Sequence, residues 1–118
     1  MKQKIIICGA GRVGISITEH LSNEGFDITV VDSNVDAIQK ATELYDVQGV
    51  LGLASHPNVL EDAGINDADM IIAVTQSDEI NIAACHIAKS IFSTPTMIIR
   101  IRSKAYLEPR YVEYLLKD

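Results

Sequence analysis

Three groups of residues in this sequence have the types and spacing to hold a phosphorylated ligand. They are glycines at 9, 11 and 14, a carboxylate at 32, and polar or cationic side chains at 75, 76 and 100. Gly9-Ala10-Gly11-Arg12-Val13-Gly14 follows directly on the apolar run Lys4-Ile5-Ile6-Ile7-Cys8. After a strand, Gly9 permits a tight turn, Gly11 lets the backbone approach a pyrophosphate because it has no Cβ, and Gly14 lets a helix pack on the strand. The negative charge of a ligand would then rest on the helix N-terminus, where free N–H groups point outward. Arg12 falls in the first helical turn, where a cation is unfavourable unless an anion is near, so it is expected to face the ligand. Asp32 stands 18 residues after Gly14, close to the roughly 20 of a dinucleotide fold. There a carboxylate accepts hydrogen bonds from the adenosine ribose hydroxyls and repels a 2′-phosphate. Ser33 and Asn34 follow it, so a helix cap is the structural alternative.

The remaining reactive side chains are less organised. Asp78 and Glu79 are adjacent and read as first-turn helix charges, with Thr75-Gln76-Ser77-Asp78 as the looser form of a capping box. His20, His56 and His86 have no metal-ligand spacing with one another or with a cysteine. Cys8 and Cys85 fit neither a metal nor a redox motif and read as free core thiols. No metal site is expected. Arg102, Lys104 and Arg110 read as surface charges.

These residues need a scaffold. Phe26–Val31 reads as a second strand ending at Asp32, Val47–Leu51 as a third, Asp69–Thr75 as a fourth and Thr96–Arg102 as a fifth. Between them lie helical patterns over Ile15–Asn23, Val35–Tyr45, Pro57–Ala63 and Ser77–Phe92, and Pro109 can open a last helix bearing Val112, Leu115 and Leu116. Strands alternating with helices imply an α/β fold, a Rossmann-like doubly wound parallel sheet in three layers. The predicted strand order is 3-2-1-4-5. The order reverses between the first and fourth strands, so their C-terminal ends frame the ligand crevice, and Thr75, Gln76 and Arg100 reach it. Arg100 and Arg102 are two apart on a strand and are expected to share a face.

Length and composition bound the function. The 118 residues suit one domain, 1–118. The formal net charge of −6 argues against nucleic acid, which calls for a basic face. No apolar run approaches the 18 or more residues of a membrane span, so no direct membrane insertion is expected. The first strand begins at once, so a signal peptide is not expected. Free thiols suit a reducing cytoplasm.

Three stretches resemble the RCK or KTN (TrkA-N) Rossmann domain of potassium-transport regulators. They are Gly9–Gly14 with Asp32, then Gly52–Gly64, then Ala73-Val74-Thr75-Gln76-Ser77-Asp78-Glu79-Ile80-Asn81. Ala54-Ser55-His56-Pro57-Asn58-Val59-Leu60 and Ile99-Arg100-Ile101-Arg102-Ser103 are similar to the branch found in bacterial Trk potassium-uptake systems. The resemblance implies a regulator and not an enzyme. It implies an NAD(H) ligand, with ATP or ADP as the alternative, held by Gly9 to Val13, Asp32, Thr75, Gln76 and Arg100. It also implies a homodimer or higher oligomer acting on a membrane potassium-transporter pore subunit, and a cytoplasmic location peripheral to the inner face of the membrane. Many relatives carry an acidic residue where this sequence has Leu53, so a polar contact to the base there is left to the backbone. Relatives also carry further lobes, so the chain looks like an isolated N-terminal lobe or a short version. Two other readings stay open: the cofactor half of an NAD-dependent oxidoreductase, and a dimerisation lobe with a structural nucleotide. Tyr106 to Leu116 is expected to pack on a second copy, because a small lobe has little surface on which to hide its tyrosines and aliphatics.

Overall fold

Lys4–Cys8 forms β1, the centre of the sheet, and its side chains alternate between two apolar layers. Ile5 and Ile7 face one side, Ile6 and Cys8 the other, as a strand's period of two requires. All four are buried, and each buried aliphatic side chain contributes about 1.5–3 kcal/mol. The structure, a computed structural model, describes residues 2–115. Around β1 lie β2 (Asp27–Asp32), β3 (Gln48–Leu51), β4 (Met70–Ala73) and β5 (Thr96–Ile99). Every pairing is parallel and the order is β3-β2-β1-β4-β5, as the alternation of strands and helices predicts. Ile6 sits between Thr29 of β2 and Ile71 of β4.

Helices α1 (Arg12–Asn23) and α2 (Val35–Leu44) cover one face. Val13, Ile17 and Leu21 of the first and Ala37 and Ile38 of the second pack on Ile5, Ile7, Ile28 and Val30. Helices α3 (Pro57–Asp62) and α4 (Asp78–Ser90) cover the other, with Leu60, Ala84, Cys85 and Ala88 on Ile6, Cys8 and Ile71. Burial in this layer disfavours the thiolate and raises the pKa of both thiols. Cys85 is pushed up to about 11, and Cys8 is pushed up further by burial and then by Cys85 beside it.

The structure corrects three details. Val35 and Leu44, expected on the packed stripe of α2, are exposed, and the helix buries only the middle of that stripe. The fifth strand ends at Ile99 and not at Arg102, because the Asp78 carboxylate draws in the next main-chain N–H groups at Arg102 and Ser103. Arg100 and Arg102 therefore share a loop and not a strand face. A short helix, α5 (Lys104–Leu107), precedes α6 (Pro109–Leu115), and Ser103 caps it by accepting from the Ala105 N–H. Leu116 and the side chains of Tyr114 and Leu115, expected in the last apolar stripe, lie outside the described residues.

Candidate functional site

The carboxyl ends of β1, β2 and β4 open onto a cavity of about 680 Å³, within the usual range for small-molecule sites. The turn from β1 into α1 forms its floor. Gly9 has φ +115°, a left-handed conformation that an L side chain rarely adopts. A Cβ on Gly14 would fall on the carbonyl oxygen of Gly9, so only glycine brings α1 this close to the strand. Gly11 differs from both. Its φ is −78° and a Cβ there would meet nothing within 4 Å, so neither conformation nor protein packing demands glycine. A bare backbone facing an open cavity fits the close approach of a ligand group.

The start of α1 is left unoccupied by the protein. No side chain caps it and its first turn holds no acidic residue. The leading N–H groups of a helix have no partner within it, and they sum to a partial positive charge. By contrast, Asn34 caps α2 through the N–H groups of Asp36 and Ala37, and Ser77 caps α4 through that of Ile80. Arg12, exposed, stands at the cavity edge beside the α1 terminus.

Asp32 closes the β2 end. Its Oδ2 accepts the Ala10 N–H at 2.7 Å and its Oδ1 the Asn34 N–H at 2.8 Å. A carboxylate accepts about four hydrogen bonds, so two backbone bonds orient it and leave acceptor capacity toward the cavity. The capping of α2 belongs to Asn34 and not to Asp32. Beyond it stand Ser33 and Asn34, and the rest of that wall is apolar or main chain, with Gly52, Leu53, Ala54 and Ala37.

On the opposite side stand Thr75, Gln76, Ser77, Arg100 and Arg102. The capping-box reading of Thr75 to Asp78 gives way to another arrangement. Ser77 is the cap. The Thr75 hydroxyl donates to Asn81 Oδ1 at 2.7 Å. The Asp78 carboxylate leaves the helix and accepts the N–H groups of Arg102 and Ser103, each at 2.8 Å. Those two bonds, Arg102 first, hold its carboxyl below the ordinary carboxylate range, and the Arg102 and Arg100 charges add to the effect.

Of the residues singled out from sequence, Gly9, Gly11, Arg12, Val13, Asp32, Thr75, Gln76 and Arg100 line this one cavity. Ala10 and Gly14 do not. Ala10 is buried and supplies an N–H to Asp32, and Gly14 packs behind the turn. Arg102, read as a surface charge, is exposed yet belongs to the cavity wall. Asn81, fully buried, is the polar residue that periodicity missed. Its signal was an amide on the inward face of a helix that packs alanine, cysteine and isoleucine on the sheet. Among the described residues, no group of three His, Cys, Asp or Glu side chains is placed to hold a metal, and no helix is long and apolar enough to cross a membrane.

Comparison with known proteins gives a consistent result. Residues 5–115 match the family described as the TrkA-N domain. The Trk system potassium uptake protein TrkA of Azorhizobium caulinodans is 49% identical over 115 residues, covering 98% of this chain and 25% of that protein. The protein of the same name from Vibrio alginolyticus is 52% identical over 104 residues, 88% of this chain and 23% of its own length. The chain thus spans about a quarter of the length of these curated relatives. Among solved structures, the TrkA-N domain of the inner membrane protein ybaL from Escherichia coli superposes with a TM-score of 0.84 at 18% identity, covering 98% of this chain and 83% of that one. The Shewanella denitrificans Kef C-terminal domain, in AMP-bound form, gives 0.81 at 19% identity over 98% of this chain and 69% of that one. The GsuK channel bound to NAD gives 0.73 at 21% over 94% and 20%. At such identities the superpositions speak for the fold alone.

Proposed function

The chain belongs to the TrkA-N domain family, and from that premise we propose that it is a single nucleotide-sensing lobe, 1–118, of a potassium-uptake regulator. The ligand is NAD(H), held by the Gly9–Gly14 turn, Arg12, Asp32, Thr75, Gln76 and Arg100. The observation that carries this reading is the pairing of a bare α1 N-terminus with the oriented carboxylate of Asp32 on the same side of one cavity. The first suits a pyrophosphate, which would lie over the open backbone at Gly11. The second suits a ribose with both hydroxyls free. When bound, the dinucleotide would supply charge and shape rather than a reaction. Among the described residues the cavity wall has no histidine, lysine, tyrosine, cysteine or glutamate to move a proton, which favours a regulator over half of an oxidoreductase.

ATP or ADP is the second reading. Both carry the same ribose, and Arg12, Arg100 and Arg102 outnumber the one carboxylate on the wall, a balance that suits a polyphosphate. Calorimetric titration of one preparation with NADH, NAD, NADPH, ATP and ADP decides. NADH is expected to bind and NADPH to bind much more weakly. Equal binding of NADPH would remove the role given to Asp32, and binding of ATP alone would keep that role and change the ligand.

Regulation then runs through association. The lobe works in a homodimer or higher oligomer, in the cytoplasm, against the inner face of a membrane pore subunit for potassium. Leu107 and Tyr111, both exposed on the C-terminal helices, are the surface offered to a second copy. Tyr106, expected in that surface, instead donates its hydroxyl to Glu79 Oε2 at 2.8 Å. Light scattering should show an oligomer that Leu107→Asp weakens, and a monomer at high concentration would count against it.

A further inference from the structure

The far wall of the cavity is assembled from two segments that lie beyond the ends of their strands. β4 stops at Ala73 and β5 at Ile99, whereas the wall is Thr75, Gln76, Arg100 and Arg102. One main-chain bond, Arg100 N–H to Ala73 O at 2.9 Å, ties the second segment to the end of β4. The rest of the linkage comes from the first turns of α4. The Asn81 amide is saturated. Its Oδ1 accepts the Thr75 N–H at 2.9 Å and the Thr75 hydroxyl at 2.7 Å, and its Nδ2 donates to Thr75 O at 3.1 Å and Arg100 O at 2.9 Å. An amide has two donors and two acceptor lone pairs, so every one is used. The Thr75 N–H and the Arg100 carbonyl fix which end is oxygen. One helical turn earlier, Asp78 takes the N–H groups of Arg102 and Ser103.

We propose that Asn81 and Asp78 are positioning residues for the phosphate end of the ligand. They set the Thr75–Gln76 turn and the Arg100–Arg102 loop in one geometry, so that two guanidiniums meet an anion already in place. The inference rests on the nucleotide reading of the cavity. Its distinguishing feature is where it acts. Asp32, at the adenosine end, is held by Ala10 and Asn34 and makes no bond to α4. Loosening the far wall should therefore weaken phosphate-bearing ligands and spare adenosine.

The test titrates the full chain with adenosine and with whichever of NADH or ATP the wild type binds. Asp78→Asn removes the charge and one acceptor at constant size, and Asp78→Glu keeps the charge but displaces it. Both should lose about tenfold in affinity for the phosphorylated ligand and stay within about twofold for adenosine. A residue acting through the arginines must also be non-additive with them. Arg102→Ala combined with Asp78→Asn should bind no worse than about tenfold below wild type. Equal losses for adenosine, an unchanged affinity for the phosphorylated ligand, or fully additive losses would each overturn the proposal. A wild type that binds none of the three compounds would instead overturn the nucleotide reading, and this inference with it.

Discussion

On its β1–β2 side the crevice is walled by main chain, and on its β4–β5 side by side chains that hold main chain in place. The first wall needs atoms to be missing: no Cβ at Gly14 against the Gly9 carbonyl, none at Gly11 before the cavity. The second needs atoms to be present, with one buried amide and one carboxylate making six hydrogen bonds between them. At Gly14 a wall of the first kind has no soft variant, because the first carbon added is already too large, whereas at Gly11 an added carbon meets only the cavity. A wall of the second kind degrades in steps, one bond at a time.

That contrast can be broken most severely at Gly14. Gly14→Ala should cost about 3 kcal/mol of stability or more, since overpacking against backbone cannot be relieved by a rotamer change. Thermal melting would show it as a fall of about 10 °C or more. Gly11→Ala, in open space, should leave melting nearly unchanged and reduce only ligand affinity. Asn81→Ala should come next, at about 2–3 kcal/mol, because it strands the carbonyls of Thr75 and Arg100 and the Thr75 N–H beside a buried void. Arg12→Ala tests the main-chain wall from outside. It should weaken phosphorylated ligands by about 1.5 kcal/mol and leave adenosine alone; calorimetry on both ligands separates this from a disturbed fold. The smallest effect is on pH dependence. The folded-state pKa of Asp78 is depressed, so its stabilisation is present above the unfolded value of about 4. It is lost as pH falls through the folded value. Asp78→Asn should therefore flatten the loss of melting temperature between pH 5 and pH 2, and an unchanged slope would show that the Asp78 bonds add nothing to stability.

The two walls also differ in how far they could be read from the amino acids. The glycine turn is local. Strand, glycines and helix are contiguous, and the carboxylate follows at a distance set by one helix and one strand, so Gly9 to Gly14 and Asp32 were legible. The sheet order was legible for a related reason, since β1 and β4 are apolar on both faces and so must lie inside. The second wall was only half legible. Thr75, Gln76 and Arg100 followed from the place where the strand order reverses. The role of Asp78 did not, because its partners lie 24 and 25 residues away. No periodicity relates a helix's first turn to the loop after the next strand. For the same reason the end of β5 was misplaced by three residues: an N–H that looks ready to extend a ladder is taken by a side chain from elsewhere. Asn81 was hidden by its own helix, whose inward face beyond the first turn is otherwise apolar.

The two core thiols have a practical consequence. Cys8 and Cys85 are both buried, at 0% and 1% exposure, and the thiolate that reacts with alkylating reagents is suppressed at both. The folded chain is therefore silent to such reagents. A single cysteine introduced at an exposed cavity residue, Gln76 or Ser33, could carry a fluorophore without removing either native thiol. Slow labelling of the native pair would report a different event. Cys8 lies at the centre of the sheet, so its modification requires the core to open, and its labelling rate is a clock for global unfolding under native conditions. A bound nucleotide that slows the clock would reveal its binding energy with no reporter attached to the site.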